Sequence, residues 1–183
     1  VYELIEAFKR LEDRTTILMI IGSSFYMDGK TTTKYINKLK KAGESVKKRI
    51  IFTGYIPQSD LPKHYAASDI AVVPSTCQEA AGNVTIEALS CGLPVVASRR
   101  GGIPEYASVE ACSLVECDKN FISNLQEAIE KIVSDEEFYL LKKSYAREIA
   151  QQYDKRKYYV NFYNLLSGII QKNNKKKLNY AKQ

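Results

Sequence analysis

Two glutamates eight positions apart, Glu79 and Glu87, are the side chains of this sequence whose surroundings point most clearly to chemistry. Gly82 lies between them, and the residues after it predict a helix over 83–90, a tight turn and a buried strand. The first turn of a helix offers unpaired N–H groups and a partial positive charge, so it attracts phosphate. Carboxylates beside it would instead accept hydrogen bonds from sugar hydroxyls. One short segment could therefore hold both parts of a sugar nucleotide.

Both glutamates also have an ordinary interpretation. Glutamates taken alone are most often solvated helix residues, and Glu79 could simply cap the helix that follows it. Their spacing does not suggest glycoside hydrolysis, because neither carboxylate is expected to attack a sugar. The residue types alone leave these alternatives open.

Composition describes an ordinary globular protein. The 183 residues suit one domain or slightly more and can bury about two-thirds of the unfolded surface. We find neither an apolar run of about 18 residues nor a secretory segment. The four cysteines form no close C-x-x-C pair, and the sequence contains only one histidine. A zinc site is therefore not expected. We expect the cysteines to be reduced thiols and the protein to lie in the cytoplasm.

The end of the chain is basic. Four of the positive charges in a net charge of +6 lie between Lys172 and Lys177. We interpret residues 1–171 as one domain and residues 172–183 as a disordered tail. The alternative is that this tail is attracted to anionic lipid head groups, which would place the protein at the inner face of the membrane.

Apolar runs alternate with helical patterns along the chain. Strands are predicted at 17–21, 50–53, 70–73, 94–98 and 111–115. Helices are predicted at 1–11, 31–41, 59–68, 83–90, 120–134, 136–152 and 155–170. The continuous apolar run at 17–21 is typical of a strand that is buried on both faces. The alternation predicts an α/β fold, a Rossmann-like three-layer domain with a central parallel sheet.

An ordered series of short motifs occupies the segment from Ile50 to Tyr106. The motifs are Phe52-Thr53-Gly54-Tyr55-Ile56-Pro57, Tyr65-Ala66-Ala67-Ser68-Asp69, Val73-Pro74-Ser75, the segment from Glu79 to Glu87, Cys91-Gly92-Leu93-Pro94-Val95-Val96-Ala97 and Gly101-Gly102-Ile103-Pro104-Glu105. In order and spacing they resemble the C-terminal half of retaining glycosyltransferases with the GT-B architecture, family four in particular. With the helices at 1–8 and 153–166, the resemblance covers nearly the whole chain.

The resemblance implies a domain that binds a nucleotide sugar. Glu87 would accept hydrogen bonds from the ribose hydroxyls. Glu79, the candidate catalytic residue, would lie by the donor sugar near its 3- and 4-hydroxyls. Backbone N–H groups of Gly82, Asn83 and Val84 would face the diphosphate and the sugar.

Further residues are assigned to the site by the same resemblance. Backbone groups of Tyr55 and Ile56 would line the base site, and Ala81 would form part of the sugar pocket, where many relatives carry phenylalanine. Gly22 and Ser23 follow a strand at its carboxyl end, where open α/β sheets place ligands. The glycine pair at 101–102 is expected to form a loop near the phosphate.

The whole enzyme implied by the resemblance has two domains. It would move a hexose from a UDP- or GDP-sugar to a glycan or lipid-linked acceptor, which the N-terminal domain would bind. That domain, and an Arg/Lys pair that holds phosphate in the family, lie upstream of this sequence, so the chain alone is expected to be inactive. The aromatic residues at 153–163 would pack against the same domain. No cofactor, metal or nucleic-acid partner is expected.

Two other functions remain open. The chain could be a non-catalytic nucleotide-binding module that partners an active subunit. It could also belong to a nucleotide-sugar epimerase with the GT-B architecture, although the Glu79 and Glu87 pair argues against an epimerase.

Overall fold

The computed structural model describes residues 1–22 and 33–180 and contains each of the predicted elements. The strands are β1 (Leu18–Ile21), β2 (Ile50–Gly54), β3 (Ala71–Val73), β4 (Val95–Ser98) and β5 (Cys112–Val115). The helices are α1 (Tyr2–Arg10), α2 (Lys34–Ala42), α3 (Leu61–Ala66), α4 (Asn83–Ser90), α5 (Phe121–Ser134), α6 (Glu136–Ala150) and α7 (Lys155–Tyr180). Helix α7 continues to Tyr180 rather than ending at residue 170. The disorder expected of residues 172–183 stays a prediction.

All strand pairs in the described residues are parallel, which confirms the predicted α/β class. Strand β1 pairs with β2, and β4 lies between β3 and β5. The strands therefore form two hydrogen-bonded groups, and the single central sheet that the sequence predicted is divided between β1 and β3.

Two apolar clusters cover the two faces of the β3–β4–β5 sheet. On one face, Val96 contacts the cluster that contains the buried residues of α1 and α5. On the other face, Val95 and Ala97 belong to the cluster that contains residues of α4 and α6. Strand β4 is fully buried, as a central parallel strand should be. The domain thus has three layers, with helices on both faces of the sheet.

Strand β1 differs from β4. Its four residues are only partly buried, and Ile17 just before it is 62% exposed. The prediction that the run 17–21 is buried on both faces is therefore wrong for this structure. The physical reason is that β1 has a hydrogen-bonded neighbour, β2, on one edge, whereas a cleft lies along the other edge.

Helix α7 exposes much of its apolar surface. Among its exposed side chains, Tyr158 stacks on Phe162 and Tyr159 stacks on Tyr163, with ring centroids 6.2 and 6.5 Å apart. Further exposed apolar side chains in the part of this helix whose side chains the structure describes are Val160, Leu165, Leu166, Ile169 and Ile170. None of these residues belongs to the two apolar clusters.

A buried lysine fastens α6 to the start of β5. Lys142 is 5% exposed, and its Nζ donates to the carbonyl oxygens of Val109 and Cys112 at 2.9 and 3.0 Å. The ammonium group also lies over the ring of Phe138, 4.7 Å from its centroid. Burial lowers the pKa of Lys142 from its usual range, because the charged form loses hydration.

Side-chain caps mark where two of the helices begin, but not where α4 begins. Asp135 accepts a hydrogen bond from the N–H of Phe138 at the start of α6, and Thr33 accepts one from the N–H of Ile36 at the start of α2. Helix α4 follows Gly82 and has no side-chain cap. Its first N–H groups are therefore left for other partners.

Candidate functional site

Two loops meet at the carboxyl ends of β3 and β4 and form the candidate site. The loop after β3 carries Glu79, and the loop after β4 carries Gly101 and Gly102. The N–H of Gly102 donates to the Glu79 carbonyl at 2.8 Å, and the N–H of Gly101 donates to Oε1 of Gln78 at 2.8 Å. The second loop thus holds the backbone from which the Glu79 side chain projects.

Gly101 allows this contact because it has no side chain. Its φ is +54°, and a Cβ at this position would lie 2.1 Å from the Glu79 carbonyl oxygen. A Cβ on Gly102 would lie 2.6 Å from the carbonyl oxygen of Ala80. The glycine pair, expected from the sequence to form a loop near the phosphate, therefore packs against the Glu79 loop; its contact with phosphate stays a prediction.

The carboxylate of Glu79 is held within its own loop. Its Oε1 accepts a hydrogen bond from Ser75 Oγ at 2.7 Å and a longer one from Cys77 Sγ at 3.7 Å. Glu79 does not cap α4, which begins at Gly82 without a side-chain hydrogen bond. The ordinary interpretation of Glu79 as a helix cap is therefore wrong. In the described residues its Oε2 has no hydrogen-bond partner.

The start of α4 combines a left-handed glycine with unpaired N–H groups. Gly82 has φ +58° and ψ 42°, and a Cβ there would lie 2.7 Å from Cγ1 of Ile103. Its carbonyl accepts a hydrogen bond from the Thr85 N–H at 2.9 Å. Within the part of the chain that the structure describes, the N–H groups of Asn83 and Val84 have no acceptor. This arrangement suits an anion, because both free donors and the helix dipole favour negative charge there.

Glu87 lies on α4 and is bound by a tyrosine from α3. The hydroxyl of Tyr65 donates to Oε2 of Glu87 at 3.2 Å. Burial raises the pKa of Tyr65 well above its usual range, and the negative charge of Glu87 adds to that effect. Tyr65 therefore stays a neutral donor and fixes one carboxylate oxygen of Glu87.

A cleft of about 1020 Å³ brings several of the predicted site residues together. Those that line it are Gly22, Tyr55, Ile56, Val84 and Glu87. The lining does not include Glu79, Ala81, Gly82 or Asn83, which lie on the neighbouring loop and at the first residue of α4. Ser23 lies outside the described residues. The ligand role of each of these residues stays a prediction.

Sequence reasoning missed the partners of the two glutamates. Tyr65 is 22 residues from Glu87, and no local spacing rule connects them. Ser75 and Cys77 are close to Glu79 in sequence, but a loop has no fixed periodicity that would predict a hydrogen bond. A signal was available for Tyr65 and Ser75, because each belongs to one of the motifs on which the resemblance rests, whereas Cys77 belongs to none of them.

Comparison with known proteins identifies the family. The profile of the glycosyl transferases group 1 family matches residues 1–152. The chain belongs to this family of glycosyltransferases. The match confirms the resemblance at the level of the group 1 family. The assignment to family four and the retaining mechanism stay predictions.

Curated relatives agree with the family assignment. YtcC of Bacillus subtilis is 29% identical over 136 residues, which are 73% of this chain and 33% of YtcC. The GDP-mannose-dependent alpha-(1-6)-phosphatidylinositol monomannoside mannosyltransferase of Mycolicibacterium smegmatis is 36% identical over 110 residues, which are 56% of this chain and 27% of that enzyme.

Anabaena HepE, crystallised in complex with UDP, has the same fold as this domain. Its structure matches with a TM-score of 0.79 at 24% identity and covers 91% of this chain and 44% of HepE. The likeness confirms the Rossmann-like α/β fold with parallel strands. The chain spans less than half the length of each of these three proteins.

Among the residues that the structure describes, no helix is long and apolar enough to cross a membrane. No group of three or more His, Cys, Asp or Glu side chains in that part of the chain is arranged to hold a metal ion.

Proposed function

We propose that this domain binds the nucleotide-sugar donor of a retaining glycosyltransferase of family four. The observation that carries the proposal is the start of α4, where unpaired N–H groups lie between Glu79 on one side and Glu87 on the other. Donors of this kind suit a diphosphate, and the two carboxylates suit the hydroxyls of a sugar at each end of it. The complex of HepE with UDP supports this assignment, because HepE has the same fold.

Glu87 binds the ribose of the donor in this proposal. Tyr65 occupies one of its carboxylate oxygens, so the other remains for the ribose hydroxyls. The backbone groups of Tyr55 and Ile56, together with Gly22, line the same cleft and hold the base. Ser23 is assigned to the donor site in this proposal because it follows Gly22 in the sequence.

Glu79 acts on the donor sugar in this proposal. Ser75 and Cys77 both donate to Oε1, which leaves Oε2 for a sugar hydroxyl. A carboxylate fixed beside the anomeric centre also favours the positive charge that develops there as the diphosphate departs. Ala81 contributes to the wall of the sugar pocket.

The whole enzyme transfers a hexose from a UDP- or GDP-sugar to a glycan or a lipid-linked acceptor. UDP is the ligand of HepE, and a GDP-mannose-dependent enzyme is among the relatives. An N-terminal domain outside this chain binds the acceptor, and the chain alone is inactive. The reaction needs no metal or other cofactor, because the start of α4 and upstream cations offset the charge of the diphosphate.

The proposal extends to the surroundings of the enzyme. The exposed apolar face of α7 packs against the N-terminal domain, which would remove side chains such as Tyr158 and Leu165 from water. The enzyme works in the cytoplasm on cell-surface polysaccharide precursors. Its basic end draws it to anionic lipid at the inner face of the membrane.

Calorimetry with the variant Glu87→Gln tests the nucleotide site. A hydrogen bond to a charged group contributes about 1.5–3 kcal/mol, so the affinity for UDP or GDP should fall roughly ten- to hundred-fold. Nucleotides with deoxyribose should lose less, because one partner of Glu87 is already gone. Glu127→Gln on the exposed side of α5 is the matched control and should bind normally. Equal losses for ribose and deoxyribose nucleotides would exclude Glu87 from the ribose site.

The variant Glu79→Ala tests the sugar site in the natural, longer enzyme. It should leave the affinity for free UDP or GDP nearly unchanged and lower kcat/KM strongly, because contacts made in the transition state are lost. A wild-type enzyme that binds the donor but transfers no sugar to any glycan or lipid-linked acceptor would favour the non-catalytic module instead.

A further inference from the structure

A second, smaller pocket of about 280 Å³, here called the Arg100 pocket, lies among the loops that follow the strands of the β3–β4–β5 sheet. Its lining comes from the first turn of α1, from the loops after β3, β4 and β5, and from the first turn of α5. The lining residues with polar or titratable side chains are Glu3, Thr76, Arg100, Cys117, Asp118 and Lys119. The volume is at the lower end for ligand sites and suits one sugar ring or one charged group rather than a nucleotide.

The Arg100 pocket adjoins the Glu79 loop and is separate from the larger cleft. Arg100 directly precedes Gly101, which packs against the Glu79 carbonyl, and Thr76 lies in the same loop as Glu79. The cleft that contains Glu87 shares no lining residue with this pocket. A nucleotide beside Glu87 and its sugar beside Glu79 would therefore leave the Arg100 pocket to a group that is attached to a sugar.

Arg100 has no anionic partner within residues 1–22 and 33–180. Across those ranges its buried Nε has no hydrogen-bond partner, and its guanidinium forms no ion pair. The neighbouring Arg99 differs, because its Nε lies 2.6 Å from Oε1 of Glu116. A buried donor on a charged group is costly without an acceptor. Arg100 is therefore the group of this pocket that most needs a ligand.

Two carboxylates also line the pocket, but each has another partner. Oδ1 of Asp118 accepts hydrogen bonds from the N–H of Asn120 at 2.8 Å and from Nδ2 of Asn124 at 3.2 Å. Oε2 of Glu3 lies 3.5 Å from the amino group of Val1. Neither carboxylate therefore neutralises the buried guanidinium.

The remaining polar side chains of the pocket are donors. Lys119 is exposed and contributes a second positive charge, and Thr76 contributes a hydroxyl. Burial raises the pKa of the Cys117 thiol, and the charge of Arg100 only partly opposes that rise. The thiol is therefore neutral near pH 7 and cannot serve as the missing anion.

We propose that the Arg100 pocket binds the anionic group of an acidic sugar, a carboxylate or a phosphate monoester. The sugar is part of the inference because the pocket adjoins Glu79, so this step rests on the proposed function. A guanidinium presents a planar fork of N–H donors that matches two oxygens of either group, and Lys119 adds a second charge. The transferase thus acts on acidic saccharides, with the acidic group on the acceptor or on the transferred sugar.

Amide NMR of this chain tests the site with inorganic phosphate as the probe. UDP or GDP is added first to fill the start of α4, so that the second site is left for phosphate. The signals of Thr76, Gly101 and Lys119 should then shift with phosphate concentration. Arg100→Gln should weaken this binding at least about tenfold. Arg99→Gln is the matched control and should bind phosphate normally, because Arg99 does not line the pocket.

Two further variants keep the test decisive if Arg100→Gln unfolds the domain. Lys119→Gln, at an exposed position, should stay folded and weaken phosphate binding several-fold. Glu3→Gln should strengthen phosphate binding, because it removes a negative charge from the pocket. Equal phosphate binding by wild type, Arg100→Gln and Lys119→Gln would overturn the proposal, as would shifts confined to the first turn of α4. Failure of UDP or GDP to shift the signals of α4 would count against the proposed function alone.

Acidic sugars identify which substrate carries the anionic group. With UDP or GDP bound, glucose 6-phosphate and glucuronate should bind through Arg100, whereas glucose should not. If the group belongs to the transferred sugar, UDP-glucuronate should bind more tightly than UDP-glucose in the wild type but not in Arg100→Gln. Glucose that binds as tightly as its acidic derivatives, together with equal binding of the two nucleotide sugars, would refute the acidic-sugar assignment.

Discussion

Replacing Gly101 with alanine should destabilise the domain and disturb the Glu79 loop. A left-handed φ of +54° costs a residue other than glycine about 1–2 kcal/mol. The added methyl group would also lie 2.1 Å from the Glu79 carbonyl oxygen and 2.5 Å from its nitrogen. Relieving such an overlap costs about 1–3 kcal/mol at overpacked sites. The free energy of unfolding should therefore fall by about 2–5 kcal/mol.

Urea unfolding followed by circular dichroism measures this loss, and two other glycines separate its causes. Gly22 has φ +127° but nothing within 4 Å of its added Cβ, so Gly22→Ala reports backbone strain alone. Gly168 lies in α7 with open space around it and no unusual φ, so Gly168→Ala should be neutral or slightly stabilising. The overlap argument is refuted if Gly101→Ala destabilises the domain by no more than about 1–2 kcal/mol, the cost of a left-handed φ alone.

Three further predictions follow from contacts of the described residues. Tyr65→Phe removes the donor to the Glu87 carboxylate and should weaken UDP or GDP binding several-fold in calorimetry while the domain stays folded. Lys142→Met removes the donor to the buried carbonyl oxygen of Cys112 and the part-buried one of Val109, so urea unfolding should show a loss of about 1–3 kcal/mol. Burial raises the pKa of Cys112 to about 12, so iodoacetamide should label exposed Cys77 at pH 8 and leave Cys112 unlabelled until the protein unfolds.

Each of these predictions has a control and a contrary outcome. Tyr145→Phe, on an exposed position of α6 that does not line the cleft, should bind nucleotide normally. Equal binding by Tyr65→Phe would exclude a role in positioning Glu87. Lys143→Met should change stability by less than about 0.5 kcal/mol, and an equally small effect of Lys142→Met would show that water replaces its ammonium group. Labelling of Cys112 in the folded state would contradict its burial.

The raised pKa of Tyr65 also predicts a pH dependence. Because the folded-state pKa lies above the unfolded value of about 10, the neutral phenol contributes stability that is complete below pH 10 and is lost as the pH rises above it. Tyr65→Phe should unfold with a weaker dependence on pH between about 9 and 11. An unchanged slope in that range would show that Tyr65 titrates normally.

The helices and strands could be predicted from sequence because their signals are local. The apolar run at 94–98 and the glycine turn before it identify β4 without any knowledge of its neighbours. The division of the sheet between β1 and β3 could not be predicted, because the pairing of two strands depends on residues far apart in the sequence. In addition, the apolar pattern at 17–21 is typical of a fully buried strand, whereas β1 is only partly buried. Local pattern determines that a strand forms, whereas the residues on either side determine how much of it is covered.

The segment that contains the candidate site could be predicted from the sequence, but the contacts between its two loops could not. The sequence identifies Glu79, Glu87 and Gly82 because it shows their residue types and their positions relative to the predicted helix 83–90. The support of Glu79 by Gly101 is a contact across 22 positions, and it depends on how the two loops pack together. Sequence patterns carry no distances of this kind, which is why the packing of the glycine pair against the Glu79 loop could not be predicted.

The aromatic face of α7 gives the protein an optical reporter of its own. The sequence contains 13 tyrosines and no tryptophan, so tyrosine dominates its ultraviolet emission. Tyr158, Tyr159 and Tyr163 are all at least 60% exposed, and they sit on the surface that a docking partner would cover. Solvent quenchers such as iodide should reach them readily in this chain and be shielded from them once the surface is covered. Assembly could therefore be followed in solution without attaching a label.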